Sequence, residues 1–110
     1  MGLKCNSPCN PCLITSPGIF NPDGEEAVAR AAAKENVPFI MSTASSTSIE
    51  DVAKANGDST RWFQLYWPHE KHNEITASML KRAKDNGFTA LVVTLDTYIL
   101  GWRPSDMDNG

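Results

Sequence analysis

The feature that most limits how this chain can fold is a repeated unit. A helix-forming stretch is followed by a short apolar run that ends in polar residues, and this happens three times. The runs Val37–Ser42, Arg61–Tyr66 and Phe88–Leu95 begin roughly 25 residues apart. That is the spacing a strand needs to return through a helix and lie parallel to its predecessor. The runs are nearly continuous in apolar character, as strands covered on both faces are. The expected fold class is α/β, with parallel strands and right-handed connections.

The helices announce themselves by their ends. Asp23 precedes Gly24-Glu25-Glu26 and an alanine-rich stretch, so a helix is expected over 24–35, with Asp23 as its cap and the glutamates in the first turn. Thr47 and Glu50 form a capping-box pair ahead of Ile49, Val52 and Ala53, and Gly57 closes that helix. A longer helix is expected over 71–86, with Ile75, Met79, Leu80 and Ala83 on one face and Gly87 just past its end. Residues 1–22 hold Pro8, Pro11, Pro17 and Pro22 and are expected to be irregular; residues 23–110 form the folded domain.

Composition removes several classes. The 110 residues suit one domain, and no apolar run approaches the length of a membrane span. A net charge of −3 with dispersed basic residues disfavours nucleic acid. Cys5, Cys9 and Cys12 are odd in number and no secretory signal pattern opens the chain, so a reducing intracellular setting is expected, cytoplasmic with peroxisomal or mitochondrial sites left open.

Each strand ends in polar residues, where parallel α/β folds bind ligands. The first ends at Ser42-Thr43, the second carries Gln64 and Tyr66, and the third ends at Thr94 with Asp96 beyond. Trp62, Gln64 and Tyr66 share one face of their strand, and Phe63 and Leu65 the other. Two readings stand side by side: these polar groups cap backbone at the strand ends, or they receive a ligand. His69 and His72 have a spacing that a metal could use, but lack an evident third ligand and read as a surface pair.

The segments MSTASSTSIEDVAKANGDSTRWFQLYWP and LKRAKDNGFTALVVTLDTYILGWRPSD resemble the FMN-dependent α-hydroxy acid oxidase and dehydrogenase family, in particular its lactate-oxidase-like and lactate-monooxygenase-like members. The resemblance runs from about Gly18 to Asn109. It implies a (β/α)8 barrel with FMN at the strand C-termini. It implies that Ser42, Gln64 and Thr94 bind the flavin and that Tyr66 and Arg103 bind the substrate. It further implies catalytic roles for Tyr66 and Asp96, with Asp96 as partner of a catalytic histidine. These assignments suit the chemistry. A flavin ring takes neutral hydrogen-bonding partners, and a carboxylate substrate takes a cation and a hydroxyl. An aspartate beside a histidine stabilises the imidazolium formed on proton removal. The implied substrate is a small L-2-hydroxy acid, lactate-like, converted to a 2-oxo acid or its decarboxylated product. Oxidase, monooxygenase and dehydrogenase members share these motifs, and intact relatives are expected to be homo-oligomers. Ala44 occupies a position where some relatives carry an aromatic residue, which implies a roomier pocket or different handling of oxygen.

The family's S-x-H-G-x-R-like segment, its fifth-strand lysine and its carboxylate-clamping arginine have no match in these residues. A (β/α)8 barrel takes about 200 residues or more. The expectation is thus a partial barrel, about strands two to four with their helices and an irregular first strand, inactive by itself. Two rivals remain. Cys5, Cys9 and Cys12 have the C-x3-C-x2-C spacing of a radical-SAM iron–sulfur loop, although Pro11 and the missing preceding strand fit it poorly. Alternatively, the chain is a non-catalytic partner of longer homologues.

Overall fold

In a computed structural model of the protein, residues 12–14, 22–68 and 70–96 are described. Strand β1 (Cys12–Ile14) leads to helix α1 (Gly24–Lys34), then β2 (Phe39–Ser42), α2 (Ile49–Asn56), β3 (Arg61–Tyr66), a single 3-10 turn (Glu70–His72), α3 (Asn73–Asp85) and β4 (Ala90–Thr94). The strands form one parallel sheet in the order β1-β2-β3-β4. Spatial order equals chain order, with no reversal of direction. A doubly wound sheet would reverse and place helices on both faces. Here all three helices pack on one face, because every right-handed crossover steps the same way. That is the winding of a (β/α)8 barrel, and the chain is a four-stranded part of one.

Alternation along the strands divides the residues. Phe39 and Met41 of β2 and Phe63 and Leu65 of β3 face the helices. They meet Ala29 and Ala32 of α1, Ile49, Val52 and Ala53 of α2, and Ala83 of α3. The alanines leave room for the helix axes to approach the sheet. Phe88 closes this core edge-on against Phe63, with ring centroids 6.1 Å apart. On β4, Leu91 is 45% exposed, so the described helices cover β2 and β3 more fully than the last strand.

The caps follow the side-chain chemistry with one change. Helix α1 begins after Asp23, as expected, but without a capping hydrogen bond from that side chain. Helix α2 is capped by Ser48, not Thr47: Ser48 Oγ accepts from Asp51 N at 3.1 Å and donates to the Asp51 carboxylate at 2.7 Å. Thr47 is unavailable because its hydroxyl is committed to Glu25, as described below. Gly57 (φ 62°) ends α2, and Gly87 (φ 76°) follows the end of α3. Glu50 of α2 and Arg82 of α3 form a two-armed ion pair (2.8 and 2.6 Å) that ties these helices together and lowers the Glu50 pKa to about 2.

Arg61, at the start of β3, gathers the C-terminal ends of these helices. Its guanidinium donates to the carbonyl oxygens of Asn86 (2.9 Å), Gly57 (2.6 Å) and Ser59 (3.2 Å). The same group lies 5.7 Å from the centre of the Phe88 ring. Gly87, which this guanidinium passes closely, has a φ of 76°, a backbone conformation that favours glycine.

Two expectations change in detail. The segment 1–22 contains a strand: β1 pairs with β2 over Cys12↔Phe39 to Ile14↔Met41, although prolines surround it. Pairing along a ready strand overrides the weak local preference. Cys12 opens this strand. Cys5, Cys9, His69 and Arg103 lie outside the described residues.

Candidate active site at the strand C-termini

The face of the sheet away from the helices carries the expected site residues. The register aligns Ser42 with Gln64, and Tyr66 with Thr94. Ser42 and Gln64 are each 1% exposed, while Tyr66 and Thr94 are half-buried. Buried side-chain amides are kept only where their hydrogen bonds are met.

Those bonds form a directional relay across three strands. Ala44 N donates to Ser42 Oγ at 3.1 Å. Ser42 Oγ donates to Gln64 Oε1 at 3.2 Å. Thr43 N donates to the same oxygen at 3.3 Å. Gln64 Nε2 then donates to Thr94 Oγ1 at 2.8 Å. With two donors on its oxygen, the Gln64 amide has a fixed orientation: oxygen toward β2, nitrogen toward β4. Among the described residues, a second N–H on Nε2 and the Thr94 hydroxyl proton have no acceptor and remain to donate elsewhere.

Thr43 extends the pairing past the end of β2. Its hydroxyl donates to the Gln64 carbonyl oxygen at 2.5 Å and accepts from Tyr66 N at 3.1 Å. A side chain thus replaces a ladder bond where the β2 backbone turns away. Tyr66 is held by its backbone at the mouth of the site.

A second polar cluster stands at the same end of the sheet, on the β2–α2 connection. Glu25 lies in the first turn of α1 and is 1% exposed. Its carboxylate accepts from Ser46 N (2.9 Å), from Ser46 Oγ (3.1 and 3.0 Å) and from Thr47 Oγ1 (2.6 Å). Burial pushes its pKa up, but the bonds from Thr47 and Ser46 outweigh this and lower it to about 2. A cleft of about 350 Å³ opens beside this contact, lined by residues that include Asp23, Glu26 and Arg30, and it shares no residue with the Ser42–Gln64–Thr94 relay.

The structure thus brings together Ser42, Gln64, Tyr66 and Thr94. Asp96 lies two residues past β4 and is exposed, and no hydrogen bond joins it to the relay among the described residues. Trp62 shares the Gln64 face, and its buried indole N–H has no partner among the described residues. Sequence reasoning missed Glu25 and Thr43. Glu25 has a sufficient local reason to sit in a helical first turn, so only its burial reveals it. Thr43 was visible as part of the polar strand end, but its bridging role depends on register.

The one-way winding of this parallel sheet is that of a barrel, and its strand ends gather neutral hydrogen-bonding groups. The chain belongs to the FMN-dependent dehydrogenase family, whose profile matches residues 1–110. It is 61% identical over 92 residues to an FMN-dependent alpha-hydroxy acid dehydrogenase of Schizosaccharomyces pombe, covering 84% of this chain and 23% of that protein. It is 48% identical over 92 residues to an L-lactate oxidase of Lysinibacillus sphaericus, again covering 84% of this chain and 23% of the relative. Among solved structures, an active chimera of (S)-mandelate dehydrogenase superposes with a TM-score of 0.80 at 41% identity, over 90% of this chain and 27% of that one. The chain spans about a quarter of the length of the curated relatives it matches. The family match gives no support to the iron–sulfur alternative. Among the described residues no helix is long and apolar enough to cross a membrane.

Proposed function

We propose that this chain forms the flavin-edge side of the active site of an FMN-dependent L-2-hydroxy acid oxidoreductase acting on small, lactate-like substrates. The observation that carries the reading is the Ser42–Gln64–Thr94 relay, which fixes the Gln64 amide and, among the described residues, leaves two donors unshared at a buried strand-end site. The donor set fits FMN: the carbonyl oxygens and unprotonated nitrogen of an isoalloxazine ring accept from just such neutral groups. Bound FMN supplies the two-electron acceptor for the substrate's α-carbon hydrogen.

The chain's own residues then have separable tasks. Gln64 and Thr94 hydrogen-bond the ring edge, with Ser42 holding the Gln64 oxygen. Tyr66 offers its phenol to the substrate, and Arg103 pairs with the substrate carboxylate. Asp96 orients a histidine that takes the substrate's hydroxyl proton and stabilises the resulting imidazolium. The family's histidine motif and the further cations of the clamp have no counterpart among these 110 residues. Ala44 leaves space above the site where a larger residue would narrow it. A homo-oligomer and an intracellular, cytoplasmic setting complete the proposal.

The experiment is FMN retention through gel filtration, followed by anaerobic addition of L-lactate while the oxidised flavin band is followed. Retention of FMN that falls on Gln64→Leu supports the flavin-edge assignment. Bleaching by L-lactate from the 110-residue chain alone would overturn the division of the active site proposed here.

A further inference from the structure

Burying a carboxylate is unfavourable unless hydrogen bonds replace its water. Glu25 could remain solvated in a helical first turn, yet it is 1% exposed. All of its tertiary partners described above lie in one place, at Ser46 and Thr47 of the β2–α2 connection. The cost of burial is therefore offset by contacts to that connection, not by the apolar core.

The connection is a short arch with both feet fixed. At its start, Thr43 is bonded to β3 through its hydroxyl. Within it, Ser45 N donates to Ser42 O at 3.2 Å, and Ser45 Oγ donates to the Thr47 carbonyl oxygen and accepts from Thr47 N. At its end, Ser48 caps α2. Ala44 stands between the feet. Its N–H occupies an acceptor site on Ser42 Oγ, so the Ser42 proton goes to Gln64 Oε1. Displacement of the arch would remove the bond that sets the Ser42 hydroxyl, and with it one of the two donors that orient Gln64.

We propose that Glu25 is a positioning residue: through Ser46 and Thr47 it holds the β2–α2 arch, and so Ala44 and the Ser42 hydroxyl, in register with the Gln64 relay. Its importance for the flavin rests on the FMN reading above; its grip on the arch does not.

The test compares wild type with Glu25→Gln, Thr47→Val and, as a control, Glu50→Gln, which cuts the α2–α3 ion pair without touching the arch. The readouts are amide hydrogen exchange at Ala44, Ser46 and Leu65, and the dissociation constant for FMN. In Glu25→Gln, exchange at Ala44 and Ser46 is expected to rise about tenfold with Leu65 unchanged, the signature of local opening. FMN binding should weaken by about tenfold. Thr47→Val should show the same pattern more weakly, and it decides the matter if Glu25→Gln does not fold. Glu50→Gln should change neither Ala44 nor Ser46. Unchanged exchange at both amides in the Glu25 and Thr47 variants overturns the proposal. So does an equal rise at Leu65, which marks a general loss of stability. Failure of wild type to hold FMN would instead defeat the flavin reading, while exchange at Ala44 and Ser46 would still decide the role of Glu25.

Discussion

Gln64 and Thr94, on adjacent strands and 30 residues apart in sequence, are joined by an Nε2–H···Oγ1 hydrogen bond of 2.8 Å. The amide that makes this bond is already fixed from the other side by Ser42 and Thr43. Gln64→Leu removes the shared group and leaves its partners to water. FMN affinity is expected to fall by about ten- to a hundredfold, the loss of one or two net hydrogen bonds. Thr94→Val should cost less, because it removes one donor and leaves the Gln64 amide oriented. Equilibrium flavin titration checks both, and an unchanged affinity in Gln64→Leu would remove Gln64 from the cofactor site.

Acid should act on the fold through Glu25. Its folded pKa of about 2 lies below the ordinary glutamate value of 4.5. A group depressed on folding stabilises the protein fully above its unfolded pKa, and that contribution is lost as pH falls toward the folded value. The window is therefore about pH 5 down to pH 2, with up to about 3 kcal/mol at stake. Asp23, Glu26 and Arg30 line the adjoining cleft. Urea unfolding at several pH values should show a slope in wild type that is much reduced in Glu25→Gln.

Neighbouring hydroxyls on the arch should respond differently. Ser48→Ala removes the α2 cap and should cost about 1 kcal/mol. Thr47→Val deletes a hydrogen bond to a buried carboxylate and should cost about 2 kcal/mol. Only the Thr47 change should alter the acid limb of stability. Chemical denaturation at neutral and acid pH separates the two.

Arg61 should prove intolerant of a cationic substitute. Lysine is a point charge and cannot reach three carbonyl oxygens in the plane that the guanidinium spans. Arg61→Lys is expected to destabilise the fold by about 2 kcal/mol, and Arg61→Met by about 3 kcal/mol. A fall in thermal midpoint for both, with lysine offering little rescue, is the expected result. Equality of Arg61→Lys with wild type would show that charge alone suffices.

Much of this architecture was legible from spacing and end signals. The strands Arg61–Tyr66 and Phe39–Ser42 are marked by apolar runs, and the two-residue period puts Trp62, Gln64 and Tyr66 on one face without any tertiary information. The cap of α2 was not decidable locally. Thr47 with Glu50 and Ser48 with Asp51 both satisfy the capping pattern, and the second is used because Glu25, 22 residues before Thr47, has taken the first hydroxyl. Strand β1 was hidden by its prolines, since a strand of three residues draws its stability from the neighbour it pairs with. Glu25 was hidden for the opposite reason: its local setting already explained it.

The strand order has a consequence for how such a chain is made. Each strand pairs with its immediate predecessor, across sequence separations of 22 to 28 residues. No strand waits for a distant partner, so each ring closure is comparably small and its entropy loss similar. A growing polypeptide can therefore lay down β2 against β1 and β3 against β2 in the order of synthesis. The Ser42–Gln64 bond needs only β2 and β3, so it can form before β4 is in place.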